Sequence, residues 1–425
     1  MDLHSTGGVR AAESRKAGNL ALICILVTVV LDSLAGTVIG PVMPALLKSL
    51  TGGAMAQMTT VFGAVTVTIA TMQLIAAPVQ GTLSDRFGRR PVVLISTAGL
   101  AIDFVCLGLA PNLTWVFVGA VIGGTAAGSV TAAFAYVADI SSPERRAARF
   151  GLVSAALSTG GASGSLIGGF MGEIDARAPF WLAAGLCAMN FLLGLFVLPE
   201  SLAHEHRAPL KWRSIHPIGV IAGIWRTYPI MKRWQGAAFL MNFGFAGINS
   251  IFFLYVTFRF GWTPKNIGFY ATFIMLSSLA VQSGLVSRAI ALFGERRTLL
   301  GGMTVQILGL TASGFATTGL MFTAAIFVLV LGGVAGAARL SIINRVIGPS
   351  DRGRLSGAER SVENLTGILA PGVFAAIFAA LVSAGPESLR AGIPIFVSAA
   401  LISIGLVVTV GAVDRTPAAT LGEAQ

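Results

Sequence analysis

Charge is scarce in this sequence. Of its 425 residues only 11% are Asp, Glu, Lys or Arg, against roughly 25% in water-soluble domains, which excludes an ordinary soluble fold. Cysteine is scarce too. Cys24, Cys106 and Cys187 each lie inside an apolar run, so they read as small buried hydrophobes and not as a disulfide framework. Three of the four histidines, His204, His206 and His216, fall in one polar stretch. Their His-Glu-His spacing suggests a metal, but no Cys or further acid completes a ligand set. A solvated linker is the better reading, and no metal is expected. There is no nucleophile–base pairing, nucleotide-binding loop or ATP-binding domain in this chain. An enzyme is not expected, nor a cofactor.

What the sequence has is apolar length. It is 55% hydrophobic, with a mean hydropathy of +0.81. Runs of about 20 apolar residues read as membrane-spanning helices. Twelve are found, numbered here as spans 1 to 12: 20–47, 57–79, 91–110, 113–136, 150–171, 179–198, 235–258, 266–290, 298–316, 319–345, 355–382 and 391–413. The first is too long for a signal-peptide core. The expected fold is an all-α polytopic membrane protein.

The net charge of +11 invites a nucleic-acid reading, but the positions argue otherwise. With the N-terminus in the cytoplasm, most Lys and Arg fall in cytoplasmic tails and loops. The opposite face keeps Lys48, Arg177, Arg259, Lys265 and Arg390. That is the positive-inside pattern, and it places both termini in the cytoplasm. The basic excess is topology, and no nucleic-acid partner is expected.

The one sizeable polar stretch, 199–233, divides the spans six and six: a first bundle at 1–198 and a second at 234–425. The halves echo each other. Phe87-Gly88-Arg89-Arg90 follows span 2, and Phe293-Gly294-Glu295-Arg296-Arg297 follows span 8, 206 residues on. Pro143-Glu144-Arg145-Arg146 after span 4 is matched by Pro349-Ser350-Asp351-Arg352 after span 10 at nearly the same offset. Two loop pairs at one offset indicate a duplicated six-helix unit, hence two pseudo-symmetric six-helix bundles, which is a transporter architecture.

Between spans 2 and 3 the chain reads Gly81-Thr82-Leu83-Ser84-Asp85-Arg86-Phe87-Gly88-Arg89-Arg90-Pro91. Gly81 and Gly88 permit tight turns, and Pro91 suits a helix start. A positive-inside anchor would explain the arginines but not the glycines or the acid. We therefore read Asp85, Arg86, Arg89 and Arg90, with Asp139 at the end of span 4, as a charged cytoplasmic latch. Span 5 carries Gly151, Gly160, Gly164, Gly168 and Gly169, which would let a neighbouring helix approach closely.

The string between spans 2 and 3 closely resembles the signature loop of the major facilitator superfamily. The span 5 glycines resemble the antiporter motif of its drug/proton antiporter branch, with Ser165 where a proline is usual. The resemblance to TetA-type tetracycline/proton antiporters covers nearly the whole chain. It includes Leu31-Asp32 with Gly40-Pro41-Val42-Met43-Pro44, Met72-Gln73, Leu100-Ala101-Ile102-Asp103, Tyr136-Val137-Ala138-Asp139, Arg259-Phe260-Gly261-Trp262 and Gln282. It implies the twelve-helix fold, an inner-membrane location, proton coupling and functional aspartates at positions 32 and 103. Three positions depart from the pattern. A span 4 arginine, a span 8 histidine and a span 9 aspartate of that family fall here at Ala120, Ser278 and Val305. Their loss argues against tetracycline itself as the substrate.

Asp103 stands in the middle of an apolar run. An ionised Asp at mid-helix costs roughly 2.5–3.5 kcal/mol on insertion scales. It is tolerated where it faces a wet cavity, finds a partner or takes up a proton. Asp32 lies at similar depth and is its expected companion. Both are read as proton-coupling groups, against the plainer alternative of a polar contact between helices. Replacement charges are found in the second half: Arg339 in span 10, and Glu359, Arg360 and Glu363 in span 11. The hairpin between these spans predicts an Arg339–Glu363 pair, with Glu363 a third coupling acid. Glu359 and Arg360 admit two readings, a place on the cavity wall or snorkelling to the interface.

The expected function is a secondary active transporter that exports a small amphipathic compound, driven by the proton gradient. Gln73, Gln282 and Asn249 would hydrogen-bond the substrate, and Phe243 and Phe245 would stack on it. A symporter or facilitator of a small metabolite is the alternative. A non-transporting receptor is disfavoured by the short loops. The partners expected are the small-molecule substrate and the lipid bilayer, with the protein acting as a monomer.

Overall fold

The computed structural model describes residues 4–202, 224–348 and 351–415, with side chains from residue 20 onward except at 143, 144, 147, 352 and 384. Most of the polar stretch, 203–223, lies outside the described residues, and with it the three histidines and the reading of that stretch as a linker. All regular elements among the described residues are helical. Among the described residues eleven helices are long and apolar enough to cross a membrane, and one of them, Pro264–Phe315, runs to 52 residues. The backbone at Gly294 leaves the helical region inside it, so it supplies two spans and the total is twelve.

The observed helices follow the apolar runs. Span 1 is His4–Val38, followed by a short helix Met43–Thr51; spans 2 and 3 are Met55–Phe87 and Arg89–Leu109. Span 4 is broken into Leu113–Ala126 and Ser129–Asp139; spans 5 and 6 are Pro143–Ile174 and Ala178–Phe196. Span 7 is Met231–Phe260. Span 8 is Pro264–Ala280 with a π turn at Val281–Leu285, and spans 8 and 9 share Val286–Phe315. Span 10 is broken into Gly319–Leu331 and Val334–Val346; spans 11 and 12 are Arg352–Leu381 and Ile393–Val413.

The duplication read from two loops extends to the backbone. Gly88 has φ 110° and ψ 166°, and Gly294 has φ 75° and ψ 166°. A side chain is strained at such φ, which is why glycine follows phenylalanine at both turns. The break in span 4 and the break in span 10 also correspond within a residue of the same offset.

The chain forms two compact units, 1–42 with 71–212, and 43–70 with 213–425. In the first, span 1 packs on spans 5 and 6, and span 3 on spans 4 and 6. Its core joins Ile25 and Val29 to Val93, Ala133, Tyr136 and Val153. In the second, span 7 packs on spans 11 and 12, and span 9 on spans 10 and 12. The units differ from the expected division, because the segment Met43–Ala70 groups with the second. The reason is local. Gly63 has no side chain, and a Cβ there would overlap that of Ala375; Val67 likewise borders Gly372. The first half of span 2 therefore lies close on span 11.

The glycines of span 5 do what their spacing predicts, with one exception. A Cβ at Gly160, Gly164 or Gly168 would collide with the carbonyl oxygen of Val30, Leu34 or Val38 in turn. Span 1 thus lies directly on the backbone of span 5, and the Ser33 hydroxyl donates to the Leu157 carbonyl at 2.7 Å. Gly169 is buried beside them. Gly151 faces open space and takes no part. Overpacking costs about 1–3 kcal/mol, so Gly164→Val is expected to lower the thermal unfolding midpoint in detergent. Gly151→Val should leave it unchanged.

Candidate functional site

Both mid-helix aspartates are buried inside the first unit. Asn190 of span 6 donates from Nδ2 to Asp32 Oδ1 at 3.0 Å and to the Thr28 carbonyl at 3.2 Å. Asp32 Oδ2, Asn190 Oδ1 and the Thr28 hydroxyl have no partner. Asp103 lies against Gly119 and Gly123, one helical turn apart on span 4; a Cβ at either would overlap its carboxylate. Asp103 Oδ1 has no donor, and no described Lys or Arg forms an ion pair with it. Ala120 is buried on the same segment and supplies no charge. Cys187 of span 6 lies within electrostatic reach of both carboxylates. The two acids thus share one interior, and Asn190 is a partner that the sequence reading did not anticipate.

The turn between spans 2 and 3 is a knot of charge. Arg89 pairs with Asp85 at 2.5 Å and with Asp139 at 3.1 Å, and it donates to the Ser84 hydroxyl at 3.0 Å. Arg90 reaches the end of span 6, donating to the carbonyls of Gly194 and Leu195. Arg86 plays a lesser part, with its guanidinium 5.3 Å from the Phe87 ring centroid. Gly81 borders a hollow of about 250 Å³ beside Ser84, Asp85 and Arg89.

The keystone of that knot is Glu200, which the sequence reading passed over. Its carboxylate accepts from the backbone N–H groups of Arg89 (2.8 Å) and Arg90 (3.2 Å). These are unsatisfied donors at a helix start, where negative charge is also favoured by the helix dipole. The carboxylate sits where a Cβ on residue 88 would be, so Gly88 is required both by its φ and by this contact.

The second unit holds the matching pair with its signs reversed. Arg345 donates to Glu295 Oε1 at 2.6 Å, and Ser341 adds its hydroxyl at 2.7 Å. Glu295 stands 206 residues after Arg89, and Arg345 stands 206 after Asp139. The offset found in the loops would have located this pair had it been carried to the ends of spans 4 and 10.

The Arg339–Glu363 pair does not form. Arg339 donates instead to Glu359 Oε2 at 2.6 Å, and Glu363 pairs with Arg360 at 2.9 Å. Span 10 ends at Val346 and span 11 starts at Arg352. Arg339 and Glu359 are equally far from these ends, whereas Glu363 lies a turn beyond. Glu363 and Arg360 are exposed, with 49% and 79% of their side-chain surface free. Their pair is a surface one, and the coupling role assigned to Glu363 loses its buried partner. The Arg339–Glu359 pair is mostly buried, and it leaves Arg339 Nη1 and Glu359 Oε1 unpartnered.

A cavity of about 340 Å³ opens within the second unit. Phe245, Asn249, Phe252, Tyr255, Tyr270, Ser278, Ser313 and Phe322 are among its walls. Phe252 and Tyr270 stack with centroids 4.9 Å apart. Two expected substrate contacts, Phe245 and Asn249, do line it. Phe243 does not; its ring packs beside Phe239 and Phe374, because it is two residues from Phe245 and so on another face of the helix. Gln282, exposed in the π turn, and Gln73, exposed on span 2, do not line it either.

Comparison with known proteins follows this geometry. A model of the Major Facilitator Superfamily matches residues 25–371. The chain is 34% identical over 366 residues to the class C tetracycline resistance protein of Escherichia coli, covering 86% of this chain and 91% of that one. It is 30% identical to multidrug resistance protein 2 of Bacillus subtilis (strain 168), covering 68% and 72%. Among solved structures, the nucleoside transporter NupG superposes with a TM-score of 0.75 at 12% identity, covering 92% of this chain and 99% of that one.

The ion pairs give a direct test of the corrected pairing. Breaking a buried pair costs about 3–5 kcal/mol, while an exposed one contributes about 0–1 kcal/mol. Arg339→Ala is expected to destabilise strongly, with Arg339→Met/Glu359→Met recovering most of the loss. Glu363→Gln should scarcely move the thermal midpoint.

Proposed function

This chain belongs to the major facilitator superfamily, and from that premise we propose that it exchanges protons at Asp32 and Asp103 for a small amphipathic compound, which it exports. It is a secondary active drug-efflux transporter; its relatives carry tetracycline and multidrug resistance names. The observation that supports the assignment of the acids is the isolation of Asp103. A carboxylate without a cation or donor around it is stable in a dry interior only with a proton on it. When water reaches the bundle interior, the proton can leave. Asp32, held by Asn190, is the second acid of the same interior.

Transport then follows alternating access. A proton is taken up by the acids from the outside, the compound moves outward, and the proton is released to the cytoplasm. The latch at Arg89, Asp85 and Asp139 and its sign-reversed counterpart Glu295–Arg345 hold the cytoplasmic turns of each half. The positive-inside charge distribution supports cytoplasmic termini in an inner membrane, with the protein working as a monomer. Ala120, Ser278 and Val305 support a substrate other than tetracycline.

Proteoliposomes with an imposed pH gradient test this. Adding a panel of drugs, tetracycline included, is expected to trigger proton release with wild type, at least about ten-fold slower with Asp103→Asn. Drug movement without protons, unchanged in the variant, would make the protein a facilitator and Asp103 structural.

A further inference from the structure

We propose that a groove at the outer ends of spans 8 and 10 is a second binding site, which takes an uncharged aromatic amphiphile as it leaves the cavity past Tyr270. The inference rests on the efflux reading and adds to it the place where the compound exits.

Three observations carry it. First, the groove adjoins the cavity. It holds about 440 Å³ beside the starts of the two spans at Pro264 and Gly319, on the face that the charge distribution puts outside. Tyr270 is the one residue that lines both hollows. Trp262 lines the groove and Phe322 lines the cavity, and their ring centroids lie 5.2 and 5.9 Å from that of Tyr270. Tyr270 is thus the shared wall, and a turn of its side chain would join the hollows without moving a helix.

Second, the groove is open and uncharged. Leu320 is 82% exposed, Phe269 49% and Phe273 45%. None of the residues that line it is charged at neutral pH, so an ion lodged there would gain no counter-charge.

Third, the groove is amphipathic along its length. Asn266, Tyr270 and Phe273 follow one another by about a turn on one face of span 8. Asn266 is exposed at the outer mouth; at the inner end the Phe273 ring packs against Phe327 of span 10 with centroids 5.8 Å apart. The Thr323 hydroxyl donates to the Gly319 carbonyl at 2.8 Å, which leaves the Asn266 amide as the polar group facing a guest. A planar body stacked in offset on the rings, with its polar end at Asn266, matches that order. A saturated lipid chain would fill the same floor without using the ring faces.

The experiment follows thiol reactivity of the full chain in lipid nanodiscs. The three native cysteines are buried. Leu320→Cys puts a thiol in the groove, and Ile174→Cys puts one at the outer end of span 5, where the residue is 87% exposed. The probe is N-phenyl-1-naphthylamine, two aromatic groups joined by one N–H. At about ten times its Kd it is expected to slow N-ethylmaleimide at the Leu320→Cys thiol about ten-fold and to leave the Ile174→Cys thiol unchanged. Tetraphenylphosphonium, aromatic but cationic, should protect only at higher concentration. Tyr270→Trp, which narrows the passage, should slow probe-triggered proton release in proteoliposomes at least about five-fold while protection in the groove persists. A merely structural role for Tyr270 would lose both together.

Stronger protection by tetraphenylphosphonium would overturn the proposal. So would reactivity that follows the acyl chains of the nanodisc and ignores the probe, since the groove would then hold a lipid. Proton release with tetracycline or another drug, but no protection of the Leu320→Cys thiol by the probe, removes the proposal and leaves efflux standing. Protection with no proton release under any compound keeps the groove as a site and removes proton-driven efflux.

Discussion

In a bundle this apolar, every charge must find a partner, reach an interface or give up its charge. That constraint organises both units. Arg89 divides its guanidinium between Asp85 and Asp139, Glu295 is held by Arg345 and Ser341, and Arg339 faces Glu359. Backbone groups obey it as well, since Glu200 satisfies the start of span 3 and Arg259 satisfies the carbonyls at the turns near Ala316 and Ser388. Against that background Asp103 stands out as a buried acid that forms no ion pair among the described residues, which is the ground for the proton exchange proposed at it.

The sequence was most readable where one local rule decides the outcome. Apolar runs of helical length located twelve spans, and the repeated Phe-Gly turns marked the duplication before any coordinates. The glycines of span 5 announced a close helix crossing, and the structure supplies span 1 as the neighbour. The aspartates stood out because an acid in an apolar run is costly wherever it lies.

What could not be read depends on rotation and register. Glu359 and Glu363 share a helix face, so the choice between them turns on where the hairpin begins, and a shift of one turn reassigns the pair. Phe243 and Phe245 are alike in composition but point to different sides of span 7. Tyr270 gave no signal at all, because a tyrosine in an apolar span reads as packing until its ring is found to border two hollows at once. Glu200 was hidden by distance, lying more than a hundred residues from the amides it caps.

The reversed signs of the repeated pair bear on how such a chain assembles. Two halves built on one repeated pattern carry similar helices. A span 3 that docked on span 10 in error would bring Arg89 against Arg345, and span 9 on span 4 would bring Glu295 against Asp139. Both mistakes would set like charges together at the helix ends. The inversion thus leaves the correct partner in each half as the attractive one.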